Sequence, residues 1–274
     1  MAIESVPEGN FAELPNGLKV HYHEAGEGPA VMFVHGSGPG ATGWSNFKGN
    51  YEEVAEAGYR VIVPDLVGFG LSSCDDDLDY SWELLRDALI GLMDELDLDD
   101  VALVGNSMGG AFCIQLALDI PERINRLVLM APGGLEEREV YMEMEGISTM
   151  LRIMYKEGVT KDSMRSIFKL QLFDESLITD QIINERYEVY QRQPKNILGK
   201  VKVPNLSTEL ENLDCPVLGV WGRDDKFCPS SGAWKVSEKC PVNRVVVVSQ
   251  CGHWVQVEHE DLFNRLCIDF LNNG

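Results

Sequence analysis

Basic residues are scarce in this chain. Its 274 residues carry 23 Lys and Arg against 44 Asp and Glu, a formal net charge of −21. Gripping a nucleic-acid backbone needs basic patches that displace counterions, so nucleic acid is excluded as a general partner. The same field repels anionic small molecules at long range unless a local cation captures them. Long apolar runs are missing as well: stretches such as Val245 to Val248 fall far short of the ~20 residues a membrane-spanning helix needs. No membrane association is expected. The first ten residues hold no apolar run of the kind a secretory signal requires. Seven cysteines form no C-x-x-C, and their odd number fits reduced thiols in a cytoplasmic protein better than a disulfide framework. Neither they nor the five histidines show the close spacings of zinc ligands, so no metal site is expected.

What is present points to a packed core. Apolar residues make up 45% and charged residues 24% of the chain, close to the soluble globular average. Short apolar runs bounded by turn residues alternate with amphipathic stretches, the pattern of a mainly parallel sheet with helices on both faces. Strands are expected at Lys19 to His23, Ala30 to His35, Arg60 to Asp65, Val101 to Gly105, Arg126 to Ala131, Pro216 to Gly222 and Arg244 to Ser249. From about residue 133 to 212 the rhythm turns helical, with no strand candidate. This segment holds Met142, Met144, Met150, Met154 and Met164, half of all the methionines. It reads as a helical lid (133–212) inserted between two parts of one α/β core (1–132 and 213–274). The methionines either fill an irregular core or form an adaptable apolar roof over a pocket.

The sharpest chemical signal is Gly105-Asn106-Ser107-Met108-Gly109-Gly110, directly after one strand and before a helical run. G-x-S-x-G in that context is a nucleophile elbow, a strained turn that lifts the serine oxygen above the sheet. A serine hydroxyl needs a base, and His253 in Cys251-Gly252-His253-Trp254 follows the last strand. The other histidines read differently: His21 and His23 as surface residues of an early strand, His35 as a structural hydrogen-bonding group, His259 as a solvated helix residue. The base needs an orienting carboxylate, and Trp221 to Pro229 offers two. The spacing G-x-x-D-x-x-x-P counted from Gly222 selects Asp225 and leaves Asp224 as a loop or cap residue paired with Arg223. Two backbone donors are needed for an oxyanion. One is Met108, after the nucleophile; the other lies in the loop His35 to Ala41, with Ser37 favoured and Gly38 adjacent.

The same loop satisfies G-x-G-x-x-A through Gly36, Gly38 and Ala41, with Asp65 ending the next strand, so a dinucleotide site competes. Pro39 and Gly40 are poor openers for a phosphate-binding helix, and a dinucleotide would leave the Ser-His-Asp set unexplained.

Taken together, these residues resemble the α/β-hydrolase family over the whole chain, and more narrowly its meta-cleavage product hydrolases. The narrower likeness rests on His35-Gly-Ser-Gly-Pro-Gly-Ala-Thr-Gly-Trp-Ser-Asn46, Gly105 to Gly110, Gln191-Arg-Gln-Pro194, Trp221-Gly-Arg-Asp-Asp225 and Cys251-Gly-His-Trp-Val-Gln256 followed by Glu258-His259. The resemblance implies the α/β-hydrolase fold, a Ser107-Asp225-His253 triad, no cofactor and a homo-oligomer. It also implies that Asn46, Asn106, Arg186 and Trp254 line the polar end of the site while the lid shapes the acyl pocket. The implied substrate is a small 2-hydroxy-6-oxo-dienoate, cleaved at a carbon-carbon bond by Ser107 attack or by a water that Ser107 polarises. Arg186 shares a helical side with Ile182, Ile183, Val189 and Tyr190. It either snorkels to water or clamps the substrate carboxylate. A carboxylesterase on the same fold and a ligand-binding receptor retaining the triad are the other readings.

Overall fold

The computed structural model describes residues 7–274. Eight strands form one sheet: β1 (Asn10–Glu13), β2 (Lys19–Ala25), β3 (Ala30–Val34), β4 (Arg60–Pro64), β5 (Val101–Asn106), β6 (Ile124–Met130), β7 (Val217–Gly222) and β8 (Asn243–Val248). Their spatial order is β1-β2-β4-β3-β5-β6-β7-β8, and β4 through β8 run parallel while β1 and β2 are antiparallel to their neighbours. All seven expected strands are present. The eighth, β1, escaped the sequence reading because Asn10–Glu13 is four residues long, exposed at three of them, and has no apolar run.

The parallel strands are covered on both faces, which accounts for their continuous apolar runs. In β3, Met32 and Val34 point into one core layer and Val31 and Phe33 into the other. The first layer packs against α3 (Trp82–Glu95) and α4 (Met108–Asp119), which follow the short helices α1 (Gly43–Phe47) and α2 (Tyr51–Glu56). Trp82 and Phe112 stack there with ring centroids 3.9 Å apart. α4 is apolar nearly all round and buried on most of its circumference, as expected of a helix wedged between sheet and neighbours.

Between β6 and β7 come α5 (Arg138–Glu143), α6 (Glu145–Arg152), α7 (Lys161–Gln171), α8 (Asp180–Tyr190) and α9 (Ile197–Lys200), with no strand. α10 (Ser231–Lys239), α11 (Val255–Glu258) and α12 (Glu260–Asn273) complete the chain, and α12 covers the second core layer through Phe263, Cys267 and Phe270. A third apolar cluster joins Met150, Met164, Phe168 and Ile183 of the inserted helices to Phe227 and Trp254 of the core. Met150 and Met164 are buried in it and Met154 packs against it, whereas Met142 is exposed. These helices therefore pack on the loops at the carboxyl ends of the strands, where open α/β sheets bind ligands.

Two histidines lie where the sequence reading did not put them. His21 and His23 are buried, not on the surface, because β1 covers β2 on its outer edge and His21 finds a carboxylate partner in Asp65. Among the described residues no helix is long and apolar enough to cross a membrane. The expectation of no secretory signal falls largely on residues 1–6, outside the described residues.

Candidate active site

β5 ends at Asn106, and the chain reverses through Ser107 into α4. Ser107 has φ 55° and ψ −121°, a conformation costly for any residue with a Cβ. It is held by its own backbone: its amide donates to the Met130 carbonyl at 3.0 Å, and its carbonyl accepts from Gly133 at 2.8 Å. The turn closes this tightly because α4 runs directly against β3. A Cβ on Gly109 would lie 2.1 Å from the Val34 carbonyl oxygen, and one on Gly36 would lie 3.0 Å from the Ser107 Cβ. The serine is thereby set beside the loop that follows β3.

Candidate oxyanion donors come from α4 and from that loop. Met108 opens α4, so its amide has no intrahelical acceptor. Gly38 adopts φ 146°, a region that glycine tolerates and Cβ-bearing residues rarely enter. His35 braces the loop's start: its Nδ1 donates to the Gly36 carbonyl at 2.7 Å, and its Nε2 accepts from the Leu66 amide at 2.9 Å. Those two bonds require the neutral ring, and burial holds the His35 pKa down at about 4. The structural role expected for His35 is the one it has.

The candidate acid and base meet at the ends of β7 and β8. His253 is buried, and its Nδ1 lies 2.7 Å from Asp225 Oδ2. Asp225 Oδ1 accepts from the amides of Phe227 and Cys228 at 2.7 and 3.0 Å, so the carboxylate is fixed in orientation and shielded from water. Asp224 turns the other way. Its Oδ2 accepts from the Gln250 amide and from Arg223, which stitches the loop. The Phe227 ring stacks on the imidazole at 5.2 Å. Burial pushes the Cys228 thiol well above its ordinary pKa, the Asp225 charge adds to this, and a hydrogen bond with Ser107 opposes it.

The four residues expected at the polar end divide into three and one. Arg186, on α8, is buried and donates to the Gly40 carbonyl at 3.1 Å and to Ser45 Oγ at 3.0 Å. Its guanidinium also lies over the rings of Trp254 and Phe168 at 5.1 and 5.5 Å. Among the described residues no ion pair engages it; burial lowers its pKa to about 10, opposed by the neighbouring Glu185, so it stays charged at neutral pH. Asn46 and Trp254 share with it a cavity of about 70 Å³ that Ser107 and His253 do not line. Asn106 stands apart from that cavity. It is fully buried, donates to the Met130 carbonyl at 3.2 Å, and its Oδ1 has no partner among the described residues.

Several contacts were not visible in the sequence. Gln193 accepts from the Gly40 amide at 2.8 Å, across 153 residues of chain. Glu258 accepts from the amides of Gly252 and Phe173, both at 2.6 Å, and so ties the His253 loop to the end of α7. Both lie in segments that carry the family likeness, the one signal that could have marked them. Among the described residues no group of three His, Cys, Asp or Glu side chains is placed to hold a metal ion.

Comparison with known proteins agrees with this geometry. Residues 29–260 match the family model of the alpha/beta hydrolase fold. The chain is 39% identical to a 2-hydroxy-6-oxo-6-phenylhexa-2,4-dienoate hydrolase of Burkholderia cepacia, over 94% of this chain and 93% of that one. It is 41% identical to a protein of the same name from Comamonas testosteroni, over 92% and 91%. Among solved structures, a meta-cleavage product hydrolase of Pseudomonas fluorescens IP01 superposes with a TM-score of 0.87 at 30% identity, covering 96% of this chain and 97% of that one. The elbow after β5, the His-Asp couple after β7 and β8 and these likenesses converge: the chain belongs to the α/β-hydrolase family and, within it, to the meta-cleavage product hydrolases.

Proposed function

We propose that this protein hydrolyses the C5–C6 bond of a 2-hydroxy-6-oxohexa-2,4-dienoate, releasing 2-hydroxypenta-2,4-dienoate and a carboxylic acid, with Ser107, His253 and Asp225 as its triad. The observation that carries the reading is Arg186: a buried cation that has no ion-pair partner among the described residues, beside Asn46 and Trp254, suits a substrate carboxylate. A carboxylate there offsets the desolvation that burial imposes on the guanidinium. It also answers how an anion approaches a chain of net charge −21.

The residues divide the work as follows. The dienol first becomes a ketone, His253 moving the proton from the 2-hydroxyl to C5, so that the bond to be broken lies between two carbonyl-activated carbons. Ser107 then attacks C6 as His253 takes its proton, and Asp225, bonded to Nδ1, stabilises the imidazolium. The amides of Met108 and of Ser37 or Gly38 receive the oxyanion. Collapse breaks C5–C6, the dienol fragment leaves with the proton from His253, and water hydrolyses the acyl-serine. Asn46, Asn106, Arg186 and Trp254 bind the dienoate end, and residues 133–212 act as the lid over the acyl group. No cofactor enters any step. We further infer a homo-oligomer from the family likeness, and a cytoplasmic location from seven cysteines that all stand free.

The test is turnover of a panel of alkyl and aryl dienoates by purified protein, followed by loss of dienoate absorbance and by identification of both products. Hydrolysis of simple esters with no action on any dienoate would refute the proposal in favour of a carboxylesterase.

A further inference from the structure

A second buried His–Asp couple lies outside the proposed triad, and the mechanism above does not use it. His21 Nδ1, on β2, is 2.9 Å from Asp65 Oδ2, at the end of β4, and both side chains are almost completely buried. Burial alone would raise the Asp65 carboxyl, but its hydrogen bond with His21 and the electrostatics of the neighbouring histidines hold it below the ordinary carboxylate range. A buried carboxylate held ionised in this way is a strong acceptor, and Asp65 has three donors. Besides His21, it accepts from the Leu71 amide through Oδ2 at 2.9 Å and from the Gly43 amide through Oδ1 at 2.8 Å.

The Gly43 bond gives the couple a functional consequence. Residues 36–43 form the loop that carries the amides of Ser37 and Gly38. Its start is held by His35, which bonds the Gly36 carbonyl and the Leu66 amide; its end is held by Asp65 through Gly43. The two attachment points, Asp65 and Leu66, are consecutive residues just after β4, so both ends of the loop are held from one place, while Arg186 and Gln193 hold its middle at Gly40. Asp65 is itself located by β2: its amide donates to the His21 carbonyl at 2.8 Å, and Ser72 Oγ joins the His21 amide to the Asp65 carbonyl. His21 is buried beneath Phe11 of β1, with ring centroids 5.1 Å apart. The antiparallel strands β1 and β2, far from Ser107 in the sheet order, thereby reach the oxyanion loop.

We propose that His21 and Asp65 are positioning residues for the oxyanion donors, setting the height of residues 36–43 above Ser107. The inference rests on the oxyanion role assigned to Ser37 or Gly38 and leaves the triad untouched; at the carboxylate end Gly40 keeps its own holds on Arg186 and Gln193. Loss of the couple should therefore fall mainly on the chemical step. A misplacement on the order of 1 Å costs up to ~100-fold in rate.

The experiment compares Asp65→Asn, His21→Phe and His21→Gln with the wild type and with Leu271→Ala, a destabilised control on the core-facing side of α12. Dienoate kinetics are measured beside the rate at which a fluorophosphonate, a tetrahedral acyl-transfer probe, labels Ser107. The expected result for Asp65→Asn is a kcat lower by roughly 10- to 100-fold with KM within about threefold, and a parallel fall in labelling. His21→Gln, which keeps a side-chain donor, should recover part of the kcat lost in His21→Phe, while Leu271→Ala keeps its kcat below its own Tm. The proposal is overturned if KM rises as far as kcat falls, if the two His21 variants are equal, or if Leu271→Ala loses as much activity at matched Tm. If Asp65→Asn does not fold, the His21 pair carries the same comparison. A wild type that turns over no dienoate refutes the substrate assignment, and the labelling rates still decide the inference.

Discussion

Truncating Arg186 to alanine separates carbon-carbon hydrolysis from ester hydrolysis in a way the structure lets one quantify. Two losses are expected. The substrate carboxylate loses a charge-assisted hydrogen bond, worth roughly 1.5 to 3 kcal/mol, or about 10- to 100-fold in kcat/KM at ~1.4 kcal/mol per decade. The Gly40 carbonyl and Ser45 also lose their donor. Because Gly40 lies in the oxyanion loop, part of that second loss reaches any substrate, and up to about tenfold is expected for a neutral aryl ester from bonds of roughly 0.5 to 1.5 kcal/mol. Gln193, which accepts from the Gly40 amide, limits the damage to the loop. The informative quantity is the ratio: kcat/KM for a dienoate should fall on the order of tenfold or more beyond the fall for the ester. Both reactions are followed by absorbance on one preparation, with circular dichroism showing that the variant is folded. Equal falls on both substrates would refute the clamp and leave Arg186 as a strut between α8 and the oxyanion loop.

Ser107→Ala should remain folded, with Tm close to the wild type, and show no multiple turnover in a product-release assay, because a triad acts as a unit; turnover within tenfold of wild type would contradict the assignment. Asp225→Asn should cost far more activity than Asp224→Asn, since only Asp225 contacts the imidazole; the opposite kinetic order would exchange their roles. His35 makes the fold sensitive to acid. Its folded pKa, about 4, lies below the ordinary 6.5, so the unfolded chain binds the extra proton first and stability falls as pH drops from 6.5 towards 4. At ~1.36 kcal/mol per unit this amounts to about 3 kcal/mol. Denaturant unfolding of wild type and His35→Gln across that range should show a shallower slope in the variant, and identical slopes would contradict the buried neutral imidazole.

Local chemistry was legible wherever neighbouring residues set it. The elbow was readable because the serine and its glycines are contiguous and the flanking strand and helix announce themselves by apolar pattern. Asp225 was separable from Asp224 by counting from Gly222, and the structure shows the reason: successive loop residues point in different directions, one into the imidazole and one back to Gln250. The seven strands were readable because burial on both faces demands unbroken apolar runs. β1 was not, because an exposed four-residue edge strand has no such run.

By itself, the sequence determined the order of seven of the eight strands, the helical character of the segment between β6 and β7, the elbow, the identity of the candidate acid and base, and the chemical class to which they belong. Those depend on turn geometry, periodicity and spacing over a few residues. Only the tertiary structure decided that His21 is a buried partner of Asp65, that Gln193 and Arg186 grip opposite groups of Gly40, and that Phe227 stacks on His253. Most of these contacts join residues tens to more than a hundred positions apart, and a polar side chain's role is set by which group the fold brings within 3 Å of it. A histidine on a strand reads the same in sequence whether it faces water or a carboxylate; packing chooses between them.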